Sequence, residues 1–555
     1  MTLTRRGFLR GVGPVTLAPF LPACAGADET RVNAAEGWGV PSVAPQALEP
    51  LLDGTEAWPP PGADSPFKHG VASGDPLTDA VVLWTRVTPR DAVATRVEVE
   101  WRLALDPALT QVIRAGLAST DPSIDFTLHV DVDGLRSNAT YYYQFRALGE
   151  ASPAGRTKTL PLGTVERMRL AVTSCANYPA GFFNVYALLA QADVDLVLHL
   201  GDYLYEYANL TFGDGEPIGR LPDPPQEIVS LEDYRRRHAQ YKTDPDLQEL
   251  HRQHPWVTVW DDHELANDAF ATGAQNHQAA SEGDFELRKA SAIKAYREWM
   301  PIRSVGEPSR IYRSFSCGDL IDLVMLDTRL AGREQPAADC AADVLNAAGR
   351  QLLGAAQEAW LMAELADSKA RGTRWRFVGQ QVIFAPLLRS ARGCVWSPDN
   401  WDGYSAGRGR VLDALGAGNI DNVVVLTGDA HASWAIDVAP DPFDTAAYDP
   451  GSGRGSKLVE FVTPAVSSAG SGASVAAILQ THPHVKFANQ TRQGYILLDV
   501  THEWTQAEWY FVSTVRERSL ESELGGVYRT RAGQPHVVPV DEPSEPRRNA
   551  PALAI

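Results

Sequence analysis

Basic residues are in short supply: 50 Lys and Arg stand against 69 Asp and Glu in 555 residues, a formal charge of −19. A chain this acidic repels phosphate backbones at long range, which disfavours any general nucleic-acid-binding role. A single anionic group can still bind locally where something cancels the repulsion, and a metal ion is the obvious agent. Long apolar runs are also missing. Residues 12–20 are only mildly apolar and are broken by Pro14 and Pro19, so they do not make a permanent membrane span. No Gly-x-Ser-x-Gly elbow is present, which disfavours a serine hydrolase. No internal repeat or heptad appears. With 44% hydrophobic and 21% charged residues, neither a disordered chain nor a membrane channel fits. The length can bury a sizeable core, in three or four domains or in one large domain with a smaller companion.

The amino terminus indicates a destination. Thr4-Arg5-Arg6-Gly7-Phe8-Leu9, with Arg10, reads as a twin-arginine export signal within residues 1–27. Ala23, Ala25 and Ala27 offer a cleavage site, and Cys24 in Leu-Pro-Ala-Cys offers a lipid anchor instead. The expected partner is the twin-arginine translocase, and the expected location is periplasmic or extracellular. That route carries folded proteins, often with a cofactor inserted. Only Cys175, Cys317, Cys340 and Cys394 follow the leader. Two of them can pair outside the cytoplasm. Cys340 with Cys394 is the expected pair, because both sit in loop-like sequence whereas Cys175 ends a strand-like run.

Residues 28–66 are rich in Pro, Ala, Gly and acid and read as an irregular lead-in. Residues 67–162 alternate apolar and polar, as in 81–87, 97–102 and 141–146, with turn residues between, the pattern of a small antiparallel β-sandwich. From residue 163 the runs become continuously apolar: 170–173, 195–200, 256–260, 320–326, 376–378 and 422–427. Strands buried on both faces have this texture. Helical patterns lie between them at 183–192, 285–300 and 357–366, so residues 163–525 form an α/β domain. A strand pair at 495–500 and 507–514 precedes a polar, Pro-rich tail, 526–555.

Chemistry gathers where these strands stop, as ligands do in open α/β sheets. The strand ends carry Ser174-Cys175-Ala176-Asn177, Gly201-Asp202-Tyr203-Leu204-Tyr205, Asp261-Asp262-His263-Glu264 and Gly428-Asp429-Ala430-His431. A single Asp after Gly often only caps a turn. Four such clusters bring three or more carboxylates together, an arrangement that cations make tolerable.

Taken in order, these motifs resemble the metallophosphoesterase arrangement in the variant of the PhoD-type alkaline phosphatases. Phe67-Lys68-His69-Gly70-Val71-Ala72-Ser73-Gly74-Asp75-Pro76, Val82-Leu83-Trp84-Thr85-Arg86 and Leu326-Asp327-Thr328-Arg329 extend the match over residues 67–515. The resemblance implies a four-layer α/β sandwich behind a fibronectin type III-like β-sandwich, and a binuclear site of ferric iron and calcium. Iron would take Cys175, Asp202, Tyr205 and His431. Calcium would take Asp202 as a bridge, with Asp262 and Asp429. Thiolate, phenolate and imidazole suit a transition metal, and bare carboxylates suit a hard ion.

The implied reaction is hydrolysis of small phosphate esters by a water in line with the leaving group, with Asp202 and His263 central to catalysis. His263 either contacts phosphate and protonates the leaving oxygen, or orients a carboxylate. Asn177 is a phosphate contact or an Asn turn. His199 and Tyr141, Tyr142 and Tyr143 read as core, Arg235-Arg236-Arg237 as a solvated helix face, and residues 515–525 as a helix able to cover the pocket. A phosphodiesterase on the same site is the alternative, and a surface binding protein with a structural metal is a third reading.

Overall fold

The apolar runs that end in polar clusters form two large sheets. In the ten-stranded sheet, Arg167–Thr173, Leu196–His199, Pro255–Thr258 and Val71–Gly74 lie side by side and parallel. Gly494–Thr501 and Trp504–Val512 extend one flank antiparallel. The seven-stranded sheet has a parallel centre of Ile321–Met325, Trp375–Gln380, Val423–Thr427 and Leu458–Val462. The structure, a computed structural model, describes residues 58–555 apart from 59–60, 63, 92, 305, 339–341 and 389–396. The export signal, Cys24, nearly all of the lead-in and the expected Cys340–Cys394 pair fall outside the described residues.

The two sheets face each other across one core, in which Leu170, Val172 and Leu198 meet Phe377, Leu426 and Phe461. Helices Asn184–Ala190 and Phe285–Trp299 contribute to the same apolar cluster. Helices Gly354–Arg371 and Ser405–Ala417 cover the other sheet through Leu361, Leu365, Val411 and Leu415, packed with Val378, Val423 and Val425. Helix, sheet, sheet, helix is the four-layer α/β architecture expected. No helix among the described residues is long and apolar enough to cross a membrane.

Four elements differ from their sequence reading. The amino-terminal sandwich does not stand apart. Val81–Arg86 and Thr127–Val132 continue the ten-stranded sheet beyond Val71–Gly74, and only its second sheet, built on Val97–Ala104, Val112–Thr120 and Thr140–Ala147, is separate. The start of the polar tail is structured: Ser522–Arg531 and Gln534–Pro539 complete the ten-stranded sheet. These two half-exposed outermost strands carry charges and Gly525-Gly526, which hides their period. A Cβ on Gly525 would stand 2.0 Å from the Phe511 ring, so the pairing needs glycine there.

Residues 515–521 form no helix, because their carbonyls are taken from outside. Phe182 N–H donates to Val515 O, and Asn184 Nδ2 to Thr514 O and Glu517 O. The triple arginine is not uniformly solvated either. Arg236 is exposed beside Asp223, but Arg235 pairs with Glu298, and Arg237 is buried and donates to the carbonyls of Tyr205, Tyr207 and Pro224. His199 and the three tyrosines are buried as expected. Tyr186 Oη lies 3.0 Å from His199 Nε2.

Candidate active site

Three of the strands that feed the site, Arg167–Thr173, Leu196–His199 and Val423–Thr427, run into residues with left-handed backbone. Cys175 has φ 62°, Asp202 54°, Asp429 54° and His431 48°. Side-chain-bearing residues adopt this region at a cost, and persist there when the surrounding fold over-determines them. Here the turns are fixed by Cys175 N–H donating to Gly201 O at 3.1 Å and Ala176 N–H to Asp202 O at 2.8 Å. Gly201 lets the neighbouring strand end come close, since a Cβ on it would lie 2.4 Å from that of Asp261.

Three groups of ligand atoms result, each within 4.8 Å: Cys175, Asp202 and His431; Asp202, Asp262 and His263; and Asp261, Asp262 and Asp429. Asp202 belongs to the first two groups and Asp262 to the last two, so the site is one continuous chain of ligands. Tyr205 joins its first group. Its hydroxyl donates to Asp202 Oδ2 at 2.9 Å, sits 2.9 Å from His431 Nε2 and accepts from Ser468 Oγ at 2.8 Å. Every residue expected to hold metal is therefore brought together. Asn177 is near, but its Nδ2 donates 2.5 Å to the carbonyl of Phe212 and so holds a loop.

Several residues that support the site are not among those expected to hold metal or to touch substrate. Glu206 lies 2.7 Å from His263 Nδ1 and also accepts from Asn267 N–H and Asn276 Nδ2. Glu264 accepts the backbone N–H of Asp202, Tyr203 and Asp261, which locks two strand ends together. Arg329 is fully buried and pairs with Asp261, Asp262 at 3.3 Å, Asp399 at 2.9 Å and Asp429 at 2.8 Å. The motif Leu326-Asp327-Thr328-Arg329 pointed to the region but not to this role. Gln381, at a strand end, is buried in backbone support and accepts from Thr328.

Electrostatics follow from burying so much like charge. Burial and the neighbouring aspartates push Asp261 and Asp429 well above the usual carboxylate range, with Arg329 opposing. Burial and Asp202 raise Glu264 to about 8. Burial alone would raise Asp202, but His263 and His431 bring it down to about 2. Burial and nearby carboxylates keep the Cys175 thiol and the Tyr205 phenol protonated far above their ordinary values. Burial disfavours charge on His263, yet Glu206, Asp262 and Asp202 outweigh it and favour the imidazolium.

The residues present fit a pair of cations. Asp202 Oδ1 and Asp261 Oδ2 are buried without a hydrogen-bond donor, and Asp262 Oδ1 has only the Arg329 guanidinium at 3.3 Å, a costly state for carboxylate oxygens that ligation removes. At one end the donors are sulfur, phenol and imidazole; at the other they are carboxylates alone.

Comparison with known proteins agrees with this geometry. Residues 170–509 match the family model of the PhoD-like phosphatase, and residues 54–161 match that of the PhoD-like phosphatase N-terminal domain. Alkaline phosphatase D of Bacillus subtilis (strain 168) is 38% identical over 491 residues, which cover 84% of this chain and 80% of the relative. A solved structure of PhoD superposes with a TM-score of 0.80 at 35% identity, covering 88% of this chain and 94% of that one. The chain therefore belongs to the PhoD-like phosphatase family and is a phosphoric ester hydrolase.

Proposed function

We propose that the chain is an exported alkaline phosphatase that hydrolyses small phosphomonoesters at a binuclear site of ferric iron and calcium. The observation that carries the reading is that Asp202 is shared between a group with Cys175 and His431 and a group with Asp262 and His263, and that Asp262 in turn joins Asp261 and Asp429. Cys175, Asp202, Tyr205 and His431 would hold the iron, and Asp202, Asp262 and Asp429 the calcium. When bound, the two cations neutralise phosphate oxygens and acidify a water for in-line attack.

The protein's own residues do the rest. Glu206 fixes His263 through Nδ1, which leaves Nε2 as the donor that contacts phosphate and protonates the leaving oxygen. Arg329 keeps four aspartates within one buried cluster without itself requiring solvent. Asn177, the other residue expected at the substrate, contributes through the loop that it anchors over the site. The twin-arginine signal in residues 1–27 supports export of the folded, loaded protein.

Initial rates of the natively exported, metal-loaded protein on a nitrophenyl phosphate monoester and the matching diester test the reading. A dominant monoester rate is expected. A dominant diester rate would move the function to a phosphodiesterase on the same ligands, and no rate on either would contradict it.

A further inference from the structure

Phe212 belongs to none of the ligand groups, yet its ring covers them. It stacks 5.7 Å from the His431 ring with planes 27° apart, 6.3 Å from His263 at 11°, and 5.7 Å from Tyr205 at 29°. Tyr207 flanks it at 6.1 Å. Phe212 thus packs near-parallel beside two site imidazoles, while 36% of the residue remains exposed.

The loop that presents this ring is built rather than incidental. Buried Asn177 donates to the Phe212 carbonyl. Leu210 N–H donates to Gly213 O at 2.9 Å, and Gly215 N–H to Asn209 Oδ1 at 3.0 Å. Gly213, with φ +127°, sits close against Ala180, whose nitrogen would be 3.3 Å from a Cβ there. A ring that only kept water from the site would be expected to bury both faces. This one leaves more than a third of the residue exposed beside the site imidazoles.

We infer that Phe212 is a specificity-determining residue on which the leaving group of the ester stacks, so that the site prefers phosphate esters of planar aromatic or heteroaromatic groups to those of small aliphatic alcohols. The inference rests on the phosphomonoesterase reading above and names its substrate class. An ester whose phosphoryl group reaches His263 and His431 carries its leaving group past Phe212. An aryl ring or nucleobase presents a π-face to it, and a glyceryl group does not. Stacking of one ring on an aromatic side chain corresponds to roughly a tenfold gain in affinity.

Calorimetric titration of the metal-loaded protein with phenylphosphonate and methylphosphonate, neither of which has an ester bond to cleave, tests this directly. The wild type should bind phenylphosphonate about tenfold more tightly, as one stacked ring implies. Phe212→Leu, still apolar but without a π-face, should bring the two affinities to within about twofold of each other, and Phe212→Tyr should restore the preference. The ratio of kcat/KM for phenyl phosphate and glycerol phosphate should follow the same order. A wild type without preference, or a preference that survives in Phe212→Leu, would overturn the inference. Phosphonate binding that shows the preference, in a protein that cleaves neither ester, would instead overturn the phosphomonoesterase reading and with it the leaving-group role, while the stacking of a ring on Phe212 would hold.

Discussion

Glu206 Oε2 lies 2.7 Å from His263 Nδ1, and both side chains are buried. The second oxygen of Glu206 is occupied by Asn267 N–H and Asn276 Nδ2, so the carboxylate is fixed and in turn fixes the imidazole. Glu206→Gln keeps the shape and removes the charge. It should lower kcat by about 10–100-fold with little change in metal content. The pH profile gives the sharper readout. Without Glu206 the His263 proton is held less tightly, so the alkaline limb of kcat should move to lower pH.

Tyr205 supplies a spectroscopic test. A phenolate on ferric iron gives a visible charge-transfer band, and the Tyr205 hydroxyl already stands 2.9 Å from both Asp202 Oδ2 and His431 Nε2. The iron-loaded protein should be coloured, and Tyr205→Phe should bleach it. A colourless iron-loaded wild type would remove Tyr205 from the ligand set.

Arg329 is the buried guanidinium among Asp261, Asp262, Asp399 and Asp429. Arg329→Met leaves those charges uncompensated, a change that typically costs about 3–5 kcal/mol. Because a bound cation supplies the missing charge, the loss of Tm should be larger in chelator than in excess calcium. Equal losses in both would separate Arg329 from the cation site.

His238 tests the fold away from the chemistry. It is buried against Trp299 with both ring nitrogens lacking a hydrogen-bond partner, and burial, with Lys242 adding to it, lowers its pKa to about 3. The unfolded chain takes up this proton near its ordinary pKa of about 6.5, whereas the folded chain does not until far lower. Stability is thus lost as pH falls below about 6.5, by up to about 1.4 kcal/mol per pH unit. Relative to wild type, His238→Phe should gain about 2 kcal/mol between pH 6.5 and 5. Denaturant unfolding of both proteins at the two pH values measures it.

The central strands and the ligands were legible because both faces of the sheets are buried and each run stops at a polar cluster. Asp202, Asp262, Asp429 and His431 announce themselves at the ends of such runs, and Arg167–Thr173 or Val423–Thr427 can hardly be read otherwise. Glu206 and Arg329 were not legible as functional, since a lone acid or arginine gains its meaning only from the partners that tertiary folding brings, 57 residues away for His263 and 68 for Asp261. The two outermost strands of the ten-stranded sheet, Ser522–Arg531 and Gln534–Pro539, were hidden because one-sided burial, glycine and charge erase the period. Arg237 was misread for a related reason: three successive arginines on a helix point in three directions, and one of them points inward.

The most direct test is elemental analysis of the natively exported protein and its Asp202→Asn variant, each assayed on a phosphomonoester before chelation, after it and after metal return. The account expects iron and calcium in the wild type, with turnover that chelation abolishes and metal restores. It expects Asp202→Asn to lose turnover and bound metal while keeping its far-UV dichroism. Full activity in metal-free wild type, or in Asp202→Asn, would contradict it.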